Sequence, residues 1–227
     1  MWILALACAF FLSLHLLVSS TILRSQLVEA IGHKIYLILF SALSLIVLLW
    51  VIQSYGEART DPTNWSLWST GQILRWLLLP LNLLATALIL LGLFSPKVTG
   101  MVVPGSLPAE ATGISRISRH PVLSGVTLWA IGHLLANADL ASFLFFGTFL
   151  TVAVLGMISI DHKRAARYGA AWNIYVAQTS RLPFVAILQG RNRFEWRELG
   201  RLQLFWAGSL VITLLVLHEF LFTGQAY

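Results

Sequence analysis

Two histidines stand in apolar stretches of the chain, where water should be scarce. His15 lies within residues 3–23, and His133 lies within residues 121–136. A neutral imidazole surrounded by lipid needs a partner, because an unpaired polar group there is costly. Such a ring either forms a hydrogen bond to a neighbouring helix or binds a metal. The pair therefore raises the question of a cofactor.

The helices that carry the two histidines predict similar depths for the two rings. His15 is nine residues from the boundary near Arg24, about 14 Å at the rise of an α-helix. His133 lies about 18 Å beyond Pro121 by the same rise. Haem b suits such a pair, because bis-imidazole ligation needs one histidine from each of two facing helices and an apolar pocket. The pattern predicts His15 and His133 as the ligands of a haem iron.

Two histidines alone do not match the ligand preferences of other common metal ions. Magnesium and calcium prefer oxygen ligands, and a catalytic zinc site uses three protein ligands, of which the sequence offers no third at this depth. A cofactor-free scaffold stays an alternative, with each histidine bonded across helices for about 0.6–2 kcal/mol.

A second polar pair, Arg119 and His120, stands directly before Pro121, a residue that suits the first turn of a helix. His120 cannot join His133 at one site, because 13 helical residues rotate the two by about 220° and separate them by about 20 Å. Arginine donates two parallel hydrogen bonds to a carboxylate. Arg119 and His120 are therefore predicted to bind a haem propionate or another anion at the mouth of the cofactor site.

Composition indicates an integral membrane protein. Of the 227 residues, 58% are hydrophobic and 11% are charged, whereas a soluble domain carries about twice that charge. Six apolar stretches approach or exceed the roughly 20 residues that cross a bilayer, the fourth being shorter. They are Ile3–Leu23, Ile35–Ile52, Ile73–Phe94, Pro121–Ala136, Leu140–Ile160 and Leu202–Phe222. We expect an all-α polytopic membrane bundle of about six transmembrane helices.

The charges predict how the chain is organised around these spans. Residues 1–160 should form a five-span membrane domain, residues 161–201 a basic interfacial segment, and residues 202–227 the sixth span with an outer C-terminus. The basic segment should contain one or two amphipathic helices, broken near Pro183. Thirteen of the 15 Lys and Arg residues fall on one side of this topology, which places both termini outside the cytoplasm. Topology and anionic headgroups explain these cations, so no nucleic-acid partner is expected.

Two local patterns add detail. Asp139 suits the N-cap of the fifth span, so the fourth and fifth spans should form a tight helical hairpin. Trp172, Tyr175 and Trp196 are predicted to form an aromatic belt at the inner interface.

The stretch from Ser118 to Ser142 resembles the signature of the NnrU family. It begins SRHP and continues LWAIGHLLANADLAS from Leu128, and the likeness extends over roughly residues 3 to 160. That family comprises bacterial membrane proteins associated with nitrite and nitric oxide reduction, and a plant carotene isomerase is a relative. In the isomerase two histidines hold a b-type haem, and by position they match His15 and His133.

The resemblance implies a protein of the bacterial inner membrane that binds haem b. As an enzyme it would act on an apolar substrate that enters from the lipid, such as a polyene whose double bond is isomerised. As a non-enzyme it would be a haem-linked accessory factor in nitrogen-oxide respiration. The sequence leaves this choice and the oligomeric state open.

A second likeness concerns Arg119-His120-Pro121 and the segment from Asp161 to Pro183. It is similar to the isoprenylcysteine carboxyl methyltransferase and phospholipid methyltransferase group. Those proteins bind S-adenosylmethionine between an Arg-His-Pro element and an acidic residue that precedes a tyrosine-containing run. This likeness implies a membrane methyltransferase as the alternative function, with His120 in its site.

Overall fold

The protein is described by a computed structural model over residues 1–19, 21–95 and 110–222. Within these ranges the chain is helical, and the strand-like pairing is limited to an isolated bridge between Ser66 and Asp139. The all-α prediction is therefore confirmed. The helices of the described residues are α1 Trp2–Ser13, α2 Ile22–Ile31, α3 His33–Arg59, α4 Gln72–Leu93, α5 Pro121–Asn137, α6 Leu140–Tyr168, α7 Ala170–Gln178, α8 Val185–Leu188 and α9 Arg201–Phe222.

Length and hydropathy qualify α3, α4 and α6 as candidate membrane spans among the described residues. α1 and α2 make a fourth if they are counted as one span, although they meet at an angle of 77°. Large apolar side chains cover the outside of these helices, as on α3, where Ile38 is 68% exposed. The apolar helices indicate a membrane protein, while the count of six spans stays a prediction.

The first predicted span is not one continuous helix. A π-helical turn, Leu14–Val18, follows α1, and α2 begins after Thr21, whose hydroxyl accepts from the backbone N–H of Leu23 at 3.3 Å. The hydroxyl of Ser19 donates back to the carbonyl of His15 at 2.6 Å. Serine and threonine side chains compete with the helical ladder in this way, which explains why the apolar run breaks where these residues gather.

The chain divides into two compact units. The first unit comprises Met1–Leu79 and Ala130–Ser159. Here the loop after α3 is fastened to the hairpin of α5 and α6, since Leu67 donates its N–H to the carbonyl of Ala138 at 2.7 Å. The predicted N-cap is confirmed, because Asp139 Oδ1 accepts from the N–H of Ser142 at 2.9 Å.

The second unit comprises Pro80–Trp129 and Ile160–Tyr227, of which residues 96–109 and 223–227 lie outside the described residues. Between α4 and α5 the structure therefore describes residues 94–95 and 110–120. α4 and α5 pack closely, since a Cβ added at Gly125 would lie 2.6 Å from the carbonyl oxygen of Ala85. Four buried apolar residues form the core beside them, namely Leu88, Ile114, Ile117 and Leu199.

The segment after α6 differs from its prediction in two respects. α7 and α8 are separated near Pro183 as expected, but α7 contains no Lys or Arg and is not a basic amphipathic helix. Trp172 and Tyr175 are 2% and 3% exposed, so the prediction of both as members of an interfacial belt is wrong. The two rings stack at 5.6 Å and pack with Ala111, because their large apolar area supplies the core of this small layer. Trp196 is 70% exposed.

Candidate functional site

His15 lies in the π-helical turn that ends the first helix, and both of its ring nitrogens form hydrogen bonds. Nδ1 is 2.9 Å from the carbonyl oxygen of Phe11, which can only accept, so Nδ1 carries the proton. Nε2 therefore carries the lone pair, and it lies 3.2 Å from the hydroxyl of Ser44. Metal-binding histidines commonly donate their other ring N–H to a carbonyl, and π turns are frequent at functional sites. His15 thus has the tautomer that a metal ligand requires.

His133 lies on α5 in the same unit and is half-buried. Its ring stacks on Phe146 of α6, with centroids 4.8 Å apart and planes inclined by 29°. Asn137 donates its side-chain amide to the carbonyl of His133 at 2.8 Å, which closes the last turn of α5. Aromatic packing and this terminal hydrogen bond therefore hold the backbone and ring of His133.

Phenylalanine rings connect the two imidazoles. We call Phe11, Phe145, Phe146 and Phe149 the aromatic row. From His133 the contacts run through Phe146, Phe145, Phe149 and Phe11 to His15, with successive centroid distances of 4.8, 5.0, 5.0, 5.3 and 4.1 Å. The structure thus places the predicted ligands in one unit and at the two ends of one apolar aromatic cluster.

The sequence predicts that the two rings lie at depths within one helical turn of each other, whereas the structure offsets them by more than that. α1 and α6 run in the same direction, with Phe11 opposite Phe149. His15 follows Phe11 by one turn, and His133 is level with Phe146. The offset is therefore about seven residues, or about 10 Å, against about 4 Å from the sequence. The difference arises because the first helix ends at its π turn and not at the boundary assumed for it.

Arg119 and His120 converge on one carboxylate in the second unit. Asp161 Oδ1 lies 2.6 Å from Nε2 of His120, and Oδ2 lies 2.7 Å from Nη2 of Arg119. Arg181 adds its Nε at 2.5 Å from Oδ2. We call these four residues the Asp161 cluster. The side chains of Arg119, His120 and Asp161 are 7%, 3% and 7% exposed, whereas Arg181 is 43% exposed.

The structure brings Arg119 and His120 together on a carboxylate of the chain. The sequence predicts the two as ligands for an external anion and does not assign them to Asp161. A signal was present in the second likeness, which sets an acidic residue against the Arg-His-Pro element. Arg181 falls within the same likeness, but its charge is also what any membrane protein places near this interface.

The protonation of His120 follows from its partner. Ionised Asp161 only accepts, so Nε2 of His120 carries a proton and Nδ1 carries the lone pair in the neutral ring. Burial lowers the pKa of His120 below its ordinary value of 6.5, although the hydrogen bond that His120 donates to Asp161 acts in the opposite direction. The cluster at neutral pH is thus two arginines, one carboxylate and one neutral imidazole.

Backbone pairing positions Arg181 beside Asp161. The hydroxyls of Ser118 and Ser124 donate to the carbonyl of Arg181 at 2.9 and 2.8 Å. Arg119 donates its N–H to the carbonyl of Ser180 at 2.9 Å. The residues before α5 and those after α7 are thereby joined along their main chains, which holds the cluster in place.

The surroundings of the two imidazoles can be compared with the needs of a bare metal ion and of a haem. No group of three or more His, Cys, Asp or Glu side chains that could hold an ion occurs in the described part of the chain. Haem iron needs only two axial protein ligands, because the porphyrin supplies the others. The tautomer of His15 and the apolar aromatic surroundings of both imidazoles suit that group.

Comparison with known proteins assigns the class of protein. The family model described as NnrU protein matches residues 3–226, so the chain belongs to the NnrU family. This agrees with the resemblance carried by the Ser118–Ser142 stretch.

Two curated relatives carry the name of a specific enzyme. The chain is similar to the chloroplastic 15-cis-zeta-carotene isomerase of Zea mays, with 27% identity over 173 residues, 75% of this chain and 47% of the relative. The isomerase of the same name from Arabidopsis thaliana is 25% identical over 173 residues, 72% of this chain and 45% of the relative. The chain thus spans less than half the length of these relatives. The comparison with solved structures found no match.

Proposed function

We propose that this NnrU-family protein binds haem b through His15 and His133 and acts on an apolar, polyene-like substrate that enters from the lipid. One observation carries the haem proposal: within a π turn, His15 donates Nδ1–H to the carbonyl of Phe11 and leaves Nε2 as the basic atom. The presence of His133 in the same unit supplies a second imidazole.

The chain's own residues would hold and surround the group. His15 and His133 would be the axial ligands, and the aromatic row would supply apolar surface. Because the imidazoles lie at the two ends of the row and are offset by about 10 Å along the helices, ligation of one iron by both requires the helices to shift as well as phenylalanine rings to change rotamer. The hydroxyl of Ser44 would give up its contact with Nε2 of His15. Bound haem would supply a redox-active iron whose reactivity depends on its axial ligands.

The apolar substrate is inferred from the same row and from the printed activity of the relatives. A polyene is flat and apolar, so it packs well on aromatic rings and reaches them from the bilayer without crossing water. The relatives are named as carotene isomerases. The chain covers less than half of their length, so isomerase activity is assigned to this protein only as a proposal.

Absorption spectroscopy of the detergent-purified protein tests haem binding. We expect a Soret band, with split α and β bands on reduction. His15→Ala and His133→Ala should lose them, while the exposed control His33→Ala should keep them. A colourless wild type after haem reconstitution would overturn the proposal. Haem-loaded protein that leaves a cis polyene unchanged in chromatography would overturn the enzymatic part and favour an accessory redox role.

S-adenosylmethionine-dependent methyl transfer is a second candidate, favoured by one observation. The contact of Arg119 and His120 with Asp161 joins the Arg-His-Pro element to the acidic residue of that resemblance. Titration calorimetry with S-adenosylmethionine tests it. Binding that Arg181→Gln weakens at least tenfold would support this candidate, and absence of heat at millimolar ligand would exclude it.

A further inference from the structure

The segment between α6 and α9 exposes large apolar side chains that the site above does not use. Leu188 at the end of α8 is 83% exposed, and Trp196 is 70% exposed. Close neighbours in the chain are turned inward: Ala186 is 0% exposed, and Phe194 packs against the apolar core of this unit. The segment therefore has one side committed to the core and several large apolar side chains outside it, of which Leu188 and Trp196 are the most exposed.

Hydrogen bonds define the shape of this segment. Nη1 of Arg191 donates to the carbonyls of Val176, Ala177 and Thr179 at 3.1, 3.0 and 2.6 Å, which caps the C-terminal end of α7. Nδ2 of Asn192 donates to the carbonyl of Arg116 at 3.2 Å. Other side chains of the segment already occupy its inward-facing side, and these hydrogen bonds hold its main chain in place. Leu188 and Trp196 therefore cannot reach the core by a local adjustment.

Positive charge accompanies these apolar groups. Residues 161–201 contain eight Lys and Arg against three Asp and Glu, a net charge of +5. Two of those carboxylates are already paired, Asp161 within its cluster and Glu198 with Arg116 at 2.7 Å. The exposed cations nearest Trp196 in the chain are Arg193, Arg197 and Arg201.

Contacts within the second unit place this segment beside the ends of apolar helices. Nε2 of Gln203, near the start of α9, donates to the carbonyl of Phe94 at the end of α4 at 2.7 Å. His120, just before α5, contacts Asp161, where the apolar part of α6 ends. The ends of membrane-spanning helices are where we expect the edge of the hydrocarbon layer.

We propose that residues 181–201 dock on the anionic phospholipids of the adjoining leaflet. Leu188 and Trp196 insert at the boundary between headgroups and acyl chains, and Arg193, Arg197 and Arg201 contact lipid phosphates. An exposed leucine and tryptophan flanked by arginines match the chemistry of that layer, which is apolar below and negatively charged above.

Spin-label depth measurements on the full chain test this proposal. Leu188→Cys and Trp196→Cys are labelled in a Cys8→Ala background, and Asn173→Cys on α7 serves as an exposed control. Each protein is reconstituted in phosphatidylcholine vesicles with or without phosphatidylglycerol. We expect labels at 188 and 196 to collide several-fold more with oxygen than with a water-soluble nickel chelate, most strongly with phosphatidylglycerol. The control should favour the nickel reagent in both lipids.

A variant with Arg193, Arg197 and Arg201 changed to glutamine should lose the dependence on phosphatidylglycerol, while Lys34→Gln should keep it. Unchanged melting temperatures would show that each variant is folded. Free access of the nickel reagent to position 188 would overturn the proposal, as would equal depth in both lipids. Spin–spin broadening between labels on neighbouring copies would overturn it in favour of contact between two chains.

Discussion

Nε2 of His120 lies 2.6 Å from Oδ1 of Asp161, and the two side chains are 3% and 7% exposed. The same carboxylate receives Arg119 and Arg181. Three donors from two separate parts of the chain therefore depend on one negative charge. Asp161 matters for stability mainly because its removal would leave buried cationic and polar groups without a partner of opposite charge.

Asp161→Asn should destabilise the protein by about 3–5 kcal/mol, because the buried guanidinium of Arg119 loses its counterion. Glu195→Gln, at an exposed acid of the same unit, should change stability by less than about 0.5 kcal/mol. Denaturant unfolding in detergent, followed by circular dichroism, compares the two. Equal midpoints would show that the Asp161 cluster does not hold the unit together.

Acidification should destabilise the protein through His120, which faces Asp161, Arg119 and Arg164. Because burial lowers its pKa below 6.5, the unfolded chain takes up a proton first as pH falls through 6.5, and stability falls. His120→Gln should flatten this dependence between about pH 7.5 and about pH 5.5, while exposed His162→Gln should not. Melting temperatures across this range measure it. A slope unchanged in His120→Gln would contradict the assignment.

Gly125→Ala should cost about 1–3 kcal/mol, since the new methyl group would lie 2.6 Å from the carbonyl oxygen of Ala85 and α4 and α5 would have to move apart. Gly147→Ala on α6 is the matched control, with nothing within 4 Å of its added Cβ. It should be neutral or stabilising by up to about 1 kcal/mol. Thermal unfolding of both variants distinguishes close packing from a general effect of glycine replacement.

Ala138→Gly should stabilise the hairpin of α5 and α6 by up to about 1 kcal/mol. Ala138 has a φ of 56°, a left-handed conformation that costs an L-residue energy and costs glycine little. Ala136→Gly, inside α5, should instead destabilise by about 0.5–1 kcal/mol. The two changes remove the same methyl group, so opposite shifts in melting temperature would isolate the backbone effect. A loss of stability in both would contradict it.

Ser44→Ala removes the hydroxyl that contacts Nε2 of His15. In the haem-free protein, a small loss of about 0.6 kcal/mol is expected, the average for a hydrogen bond between membrane helices. Haem content should stay the same or rise, because an iron ligand needs that nitrogen lone pair. Exposed Ser41→Ala controls for the substitution. Pigment loss in Ser44→Ala comparable to that in His15→Ala would show that the serine is required for the site.

Hydropathy alone placed the bounds of α4, α5 and α9 to within one residue, whereas α3 and α6 extend seven and eight residues beyond their predicted ends. α4 spans Gln72–Leu93 against a predicted 73–94, and α9 begins at Arg201 against a predicted 202. This agreement has a physical reason. In a membrane, an apolar run of that length can form hydrogen bonds with nearly all of its own backbone groups only as a helix. Hydropathy does not predict the break after His15, because Ser19 and Thr21, whose hydroxyls bond to carbonyls of the preceding turn, barely lower the hydropathy of the run.

The amino-acid order by itself determined which residues are chemically unusual: His15 and His133 in apolar helices, and Arg119 and His120 at the edge of one. Only the tertiary structure decided what each of them meets. Asp161 lies 41 residues after His120, and the aromatic row joins residues 11 and 149. Periodicity assigns a side chain to a helix face within one element. The partner across the interface depends on how separate helices stop, tilt and pack, and no local pattern encodes that.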